Sequence, residues 1–299
     1  MIDTPPLTLA TPRARWRDYL ELTKPRVVAL MAFTVVVGML LATHAALPLP
    51  VFAFGTLGIA LLAGSAAAIN HLVDRHVDAL MARTRRRPLP SGALGGAQVL
   101  LFAAVLAALG MALLLVFTNR LCALLTLASL LGYAVVYSMF LKRATPQNIV
   151  IGGAAGAAPP LLGWVAVTGQ LDAGALLLFL IILVWTPPHF WALAIHRRDE
   201  YARAAIPMLP VTHGIAFTAG RILGYSVALL GVTLVPFAIG MSGALYLAGA
   251  LALGGRFVWL AWRLRRDPLL AMPTFRYSIV YLAALFALLL LDHWLPPGV

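Results

Sequence analysis

Nine long apolar stretches, separated by short polar connections, dominate the chain. Each is close to the ~20 residues that a helix needs to cross the hydrocarbon core of a bilayer. Alanine and leucine fill these stretches without the period-two alternation of a membrane β-strand, so the pattern predicts helices. The predicted spans cover residues 25–45, 51–71, 97–117, 120–140, 148–168, 173–195, 214–238, 241–262 and 275–294.

The composition supports this prediction. Hydrophobic residues make up 62% of the 299 residues and charged residues only 11%, which excludes a water-soluble globular protein. Cys122 is the single cysteine, so a disulfide scaffold is excluded as well. The predicted fold class is all-α integral membrane, a nine-helix bundle in which 1–24 form a cytoplasmic N-terminal segment and 25–299 form one transmembrane domain.

The formal net charge of +12 would suit a nucleic-acid-binding protein, but its distribution does not. The arginines and lysines form short clusters before the first predicted span and after the second, fourth, sixth and eighth. Cytoplasmic loops of membrane proteins carry the excess of these residues. The pattern therefore predicts a multi-pass membrane protein, surrounded by the lipid bilayer, with a cytoplasmic N-terminus and no nucleic-acid partner.

Oxygen-bearing side chains recur at every fourth position where the second span ends. Asn70, Asp74 and Asp78 are the residues concerned. Four residues advance only about 40° around a helix, so the three side chains share one face. Carboxylate and amide oxygens are the ligands that Mg²⁺ prefers, and it is commonly held by one or two carboxylates together with substrate phosphates. The spacing favours a magnesium–diphosphate site over a merely solvated helix end, because unneeded acids are costly at the end of an apolar helix.

A run of arginines follows directly. Arg83 and Arg87 are candidates for diphosphate contacts, since guanidinium groups bind phosphate oxygens through paired hydrogen bonds. The alternative interpretation is that the cluster only orients the protein in the membrane. The same two interpretations apply to Lys142, which follows the fourth span.

A second apolar helix ends in mixed acids and arginines after the sixth span. Arg197, Asp199 and Glu200 lie there in the sequence His-Arg-Arg-Asp-Glu-Tyr. If these carboxylates faced the first group, they would complete a cluster of metal ions around one diphosphate. Alone this segment is ambiguous, but two such segments on the same predicted side favour a shared site.

These motifs resemble those of the membrane-embedded UbiA-type prenyltransferases. The similarity begins with N-x-x-x-D-x-x-x-D at 70–78 and R-T-x-x-R-P-L-P-S-G at 83–92. The segments 145–156, 188–194 and 207–211 resemble the haem-modifying branch of that family. The resemblance covers nearly the whole chain, and nine helices is the family's number. The chain departs from the pattern at Ala205, where glycine is common, and in a second acidic motif looser than D-x-x-x-D.

The resemblance implies an enzyme that transfers the farnesyl group of farnesyl diphosphate to a vinyl group of haem B. Water adds in the same reaction, so that haem O and diphosphate are formed for haem-copper oxidases. Haem A synthase or oxidase assembly factors are the implied protein partners, and a bacterial-type inner membrane is the implied location. The implied ligands of Mg²⁺ are Asn70, Asp74, Asp78, Asp199 and Glu200, and the implied diphosphate contacts are Arg83, Arg87, Lys142 and Arg197.

The haem acceptor requires a different kind of residue. His189 lies in an otherwise apolar stretch, where a histidine is costly without a partner. It is predicted to ligate the haem iron or to orient the porphyrin. The alternative is a histidine that is hydrogen-bonded between helices.

Three other functions remain open at the level of sequence. A prenyltransferase of the same family could act on another aromatic acceptor, because the acidic motif recognises only the donor. A transporter could use the acids as ion sites, although such sites usually lie near the membrane midplane. A passive scaffold for oxidase assembly would leave the paired acids unexplained.

Overall fold

The structure, a computed structural model, describes residues 14–81 and 84–295, and of Arg143 it describes only the backbone. Throughout these residues the chain forms helices and short connections, without a β-strand. The helices are α1 (Trp16–Leu22), α2 (Pro25–Leu41), α3 (Leu49–Leu80), α4 (Gly96–Phe117), α5 (Arg120–Leu131), α6 (Lys142–Ala144), α7 (Asn148–Thr168), α8 (Ala173–His196), α9 (Arg198–Arg203), α10 (Leu209–Thr212), α11 (Gly214–Ala238), α12 (Ala244–Leu264) and α13 (Ala271–His293). A π-helical segment, Gly132–Leu141, joins α5 to α6, and a 3-10 turn, Pro268–Leu270, precedes α13.

Eight helical segments of the described chain are long and apolar enough to cross a membrane. They are α3, α4, α5 with its π-helical continuation, α7, α8, α11, α12, and α13 with its 3-10 turn. A ninth span is obtained when α1 and α2, which meet at an angle of 53°, are counted together. The prediction of an all-α membrane bundle is confirmed.

The bend between α1 and α2 follows from two residues. Lys24 adopts a left-handed backbone conformation with φ of 51°, which no helix can continue. Pro25 then begins α2, at the one helical position where its missing N–H and fixed φ are favourable. The bend brings Lys24 next to Asn70 of α3.

The largest departure from the predicted limits is in α3, which continues to Leu80 instead of ending near residue 71. Hydropathy falls after that position because polar residues begin to appear. The helix continues because these side chains find partners on neighbouring elements, as described below. Consequently Asn70, Asp74 and Asp78 all lie on one uninterrupted helix.

Small residues allow the helices near the site to pack closely. A Cβ atom on Gly38 of α2 would collide with the carbonyl oxygen of Pro160 on α7. A Cβ atom on Gly163 of α7 would likewise collide with the carbonyl oxygen of Val35. Glycine therefore permits contact between the two backbones, as is usual where membrane helices cross.

The connections that carry most of the charge meet at one end of the bundle. A buried apolar cluster joins Met81 after α3, Ile149 of α7, Tyr201 of α9 and Leu264 of α12. The two acidic segments are therefore at the same end, as the alternation of basic residues predicts. We call it the charged end.

Candidate active site

The three oxygen-bearing residues of α3 form the centre of a buried polar site. Asn70, Asp74 and Asp78 are 4%, 3% and 5% exposed. The amide nitrogen of Asn70 donates to Asp74 Oδ2 at 2.9 Å and to the hydroxyl of Ser138 at 3.0 Å. The shared helix face predicted from the spacing is thus observed, and it points into the protein.

Three basic side chains, each from a different element, contact this face. Lys142 Nζ lies 2.5 Å from Asp74 Oδ2, and Arg87 Nη1 lies 2.7 Å from Asp78 Oδ2. Lys24 Nζ donates to the amide oxygen of Asn70 at 2.6 Å. These contacts explain how two carboxylates can be buried on consecutive turns of one helix.

The charge balance of the site favours an anion. Lys24, Arg87 and Lys142 supply three positive charges against the two carboxylates of Asp74 and Asp78. An anionic ligand would therefore be attracted to this cluster.

The donor set of the site also fits a magnesium ion. Asp74 Oδ1 is buried and has no hydrogen-bond partner among the described residues. In 14–81 and 84–295, no three His, Cys, Asp or Glu side chains are grouped closely enough to hold a metal ion alone. Two carboxylates and an amide oxygen, completed by oxygens of a bound phosphate, are a usual environment for Mg²⁺.

The remaining predicted site residues belong to the two polar segments, Arg83 to the first and Arg197, Asp199 and Glu200 to the second. Arg83 lies outside the described residues. Asp199 is exposed at the start of α9, and Glu200 Oε2 lies 3.8 Å from Arg197 Nη1. All three residues of this second segment are at the charged end, and their part in binding a metal or diphosphate stays a prediction.

An apolar cavity of about 450 Å³ adjoins the polar site and is bounded by α2, α3, α7, α8 and the π-helical segment. Lys24, which binds Asn70, also lines the cavity and so connects the two. The residues of its wall include Ile59, Leu62, Tyr133 and Tyr137. The rings of the two tyrosines stack with centroids 5.4 Å apart. The volume is within the range of ligand-binding pockets, which are typically ~300–1,000 Å³.

His189 lines the same cavity from α8. Its ring stacks on Trp185, with centroids 4.2 Å apart, and on Phe275, at 4.6 Å. Its Nδ1 atom lies 2.6 Å from the hydroxyl of Ser278 on α13. The structure therefore shows the hydrogen bond between helices that was the alternative to a haem contact. It also places the His189 ring at the cavity wall, where a bound ligand could reach it.

Comparison with known proteins identifies the family. A sequence model described as the UbiA prenyltransferase family matches residues 31–280. The chain belongs to the UbiA prenyltransferase family.

Curated proteins are highly similar to this chain over nearly its whole length. It is 67% identical to the protoheme IX farnesyltransferase of Azotobacter vinelandii, over 95% of this chain and 96% of that protein. It is 66% identical to protoheme IX farnesyltransferase 1 of Pseudomonas putida strain W619, over 96% of this chain and 97% of that protein. The resemblance to the haem-modifying branch is confirmed.

Solved structures of the UbiA family share the fold at low sequence identity. A structure of a digeranylgeranylglyceryl phosphate synthase matches with a TM-score of 0.80 and 18% identity, over 93% of this chain and 98% of that one. A UbiA homologue from Archaeoglobus fulgidus bound to GPP and Mg²⁺ matches with a TM-score of 0.62 and 18% identity, over 91% of this chain and 99% of that one.

Sequence reasoning missed two buried residues beside the UbiA-type acidic motif. Lys24 was counted only among the basic residues that orient the chain, yet it binds Asn70. His71 lies among charged residues in the sequence, yet it is 2% exposed and its two ring nitrogens have no partner in the part of the chain that the structure describes. The available signal for Lys24 is its position directly before Pro25, the residue at which α2 begins after the bend.

Proposed function

We propose that this chain transfers the farnesyl group of farnesyl diphosphate to a vinyl group of haem B, giving haem O and diphosphate. The observation that carries the proposal is the buried acid–base cluster of Asn70, Asp74 and Asp78, joined through Lys24 to an apolar cavity. Such a site accepts a molecule with an anionic head and a long apolar tail. The names of relatives about two-thirds identical over nearly their full length support this donor and acceptor.

The polar site is proposed to bind the diphosphate of the donor. Asn70, Asp74 and Asp78 would hold Mg²⁺, with Asp199 and Glu200 as further candidates. When bound, the ion neutralises negative charge on the diphosphate oxygens. Lys24, Arg87 and Lys142, together with the predicted Arg83 and Arg197, would donate hydrogen bonds to the same oxygens. Support comes from the three cationic contacts observed on the α3 face.

The basic residues have their largest effect as the allylic C–O bond breaks. Negative charge then collects on the leaving diphosphate, next to fixed positive groups in a buried site, where their stabilising effect is strong. The vinyl group of haem B forms a C–C bond with the farnesyl carbon that loses the diphosphate. Water adds to the cation that results on the haem side and releases a proton, which yields the hydroxyethylfarnesyl group.

The cavity wall suits the developing allylic cation. The stacked rings of Tyr133 and Tyr137 lie on the wall, and Tyr137 packs directly against Gly152 of α7. Aromatic faces attract cations, most strongly where water is excluded. The same exclusion of water protects the cation until it meets the vinyl carbon.

The acceptor is proposed to lie against His189. This histidine is held at the cavity wall by Ser278 and by rings on both of its faces. An imidazole held in this way is well placed to act as a ligand of the haem iron.

The charged end of the UbiA-family bundle is proposed to face the cytoplasm of a bacterial cell, with the chain in its inner membrane. The basic residues of the connections at this end support that orientation. Haem O made here would pass to haem A synthase or to oxidase assembly factors.

Expression of the chain in cells that lack haem O tests the proposal directly. Extracted haems are separated and identified by mass, with an Asp74→Asn variant as the inactive control. Haem O is expected only with the unaltered chain. Unmodified haem B together with a different prenylated aromatic compound would contradict the proposed acceptor and favour another UbiA-type activity.

A further inference from the structure

Ser278 of α13 holds two aromatic residues of the cavity wall at once. It is fully buried and faces α8. Its backbone oxygen accepts a hydrogen bond from Trp185 Nε1 at 2.9 Å, and its hydroxyl oxygen lies 2.6 Å from His189 Nδ1. One residue outside the acidic motifs thus fixes the two residues of α8 that stack on each other.

The position of the hydroxyl proton follows from a second contact. Ser278 Oγ also lies 2.6 Å from the backbone oxygen of Phe275, one turn earlier on α13. A carbonyl oxygen has no proton to give, so the hydroxyl must donate to it. The single hydroxyl proton is then used, and Ser278 Oγ can only accept from His189. The proton of the imidazole is therefore on Nδ1.

This assignment decides what the other ring nitrogen can do. In a neutral imidazole with its proton on Nδ1, the Nε2 atom carries a free lone pair. A lone pair of this kind can bind a metal centre, and a hydrogen bond at the opposite nitrogen is the usual means of orienting such a ligand. The stacked rings of Trp185 and Phe275 prevent the ring from turning over.

We propose that Ser278 is a positioning residue that keeps His189 in the Nδ1–H form, so that Nε2 offers its lone pair to the iron of the haem acceptor. The proposal rests on the proposed function, in which His189 contacts haem. It assigns no chemical step to Ser278. Ser278 acts only through the orientation and protonation state of His189.

Titration of haem B into the purified, detergent-solubilised chain tests this inference, with the absorption spectrum of the bound haem as the readout. Ser278→Ala should weaken haem binding about tenfold and change the spectrum, because outer hydrogen bonds of this kind are usually worth about 10–100-fold in affinity. If Ser278→Ala does not accumulate in the membrane, Ser278→Cys replaces it, since sulfur is only a weak acceptor. The same direction of change is expected.

The matched control is Thr274→Val, one turn earlier on the same buried face. Thr274 is fully buried, and its hydroxyl has no partner among the described residues, so the variant should bind haem like the unaltered chain. If the Ser278 variant keeps the affinity and spectrum of the unaltered chain, while His189→Ala no longer binds haem, the proposed role of Ser278 is wrong and the haem contact of His189 stands. If His189→Ala also binds haem normally, the haem contact of His189 is wrong and the inference fails with it. Haem O formation by the unaltered chain tests the transferase function separately.

Discussion

Lys142 Nζ lies 2.5 Å from Asp74 Oδ2, although α4 and α5 separate the two residues in the chain. Asp74 belongs to the apolar helix α3, and Lys142 comes directly after the π-helical segment. Their side chains are 5% and 17% exposed, so the pair is largely withdrawn from water. Because removal of either partner leaves an uncompensated buried charge, the pair matters for the stability of the bundle, and both residues also belong to the proposed diphosphate site.

Asp74→Asn is expected to abolish haem O formation, with the protein still inserted in the membrane. The amide keeps one oxygen for Lys142 but removes the charge that would bind Mg²⁺. Haem analysis of expressing cells measures activity, and the amount of protein in washed membranes measures insertion. Asp267→Asn, at the N-terminus of the 3-10 turn, is the control, since an amide also accepts the hydrogen bond from Leu269 N that the carboxylate accepts now. Normal haem O formation by Asp74→Asn would exclude the metal role.

Lys142→Met is expected to lower the thermal stability of the purified protein. The substitution leaves the carboxylate of Asp74 buried without its cation, which costs on the order of 3 kcal/mol. The double variant Lys142→Met with Asp74→Asn should recover much of the lost stability while remaining inactive. Thermal unfolding in detergent measures all three proteins. If Lys142→Met and the double variant lose the same amount of thermal stability, the ion pair does not couple the two residues.

His71→Leu is expected to raise the thermal stability of the ligand-free protein. Two buried ring nitrogens without partners in the described chain are replaced by an apolar group of similar size. Each unsatisfied buried polar group costs about 1–3 kcal/mol, so its removal is favourable. His76→Leu, an exposed position on the same helix, should change the stability by less than about 0.5 kcal/mol. A loss of stability in His71→Leu would mean that the imidazole has a partner in the folded protein.

Gly163→Ala is expected to destabilise the bundle by at least about 1–3 kcal/mol. The new methyl group would collide with the backbone oxygen of Val35, and a backbone atom cannot move aside as a flexible side chain can. Gly220→Ala on α11 is the control, since a methyl group there meets open space and gains up to about 1 kcal/mol of helix propensity. Thermal unfolding compares the two variants. Equal stability would show that α2 and α7 can separate without cost.

The sequence predicted most of the membrane helices because hydropathy depends on each segment separately. Predicted limits agree closely with α7 and α11, where apolar stretches end at clear polar residues. The prediction was least accurate for α3, whose last two turns carry the polar residues of the site. Hydropathy treats such residues as the end of a span, whereas buried ion pairs with distant residues keep them in the helix.

The acidic motif shows which relations helical periodicity can predict and which depend on tertiary contacts. Helical periodicity alone placed Asn70, Asp74 and Asp78 on one face, since that relation depends only on the geometry of one helix. Which cations would face them depends on contacts between residues far apart in the chain. Lys24, Arg87 and Lys142 come from three different elements, and no local pattern separates them from the other basic residues of the charged end.

The sequence by itself determined the membrane class, the helical architecture, the family and the oxygen-rich face of α3, because each depends on local composition or spacing. Only the tertiary structure decided which basic residues contact the acids, where the cavity lies, and that Ser278 contacts His189. These relations arise when helices distant in the chain pack together, so their physical cause is side-chain contact across the bundle. The charged residues of the connections resemble one another in sequence, and only their burial against particular partners distinguishes the basic residues proposed here to bind the diphosphate.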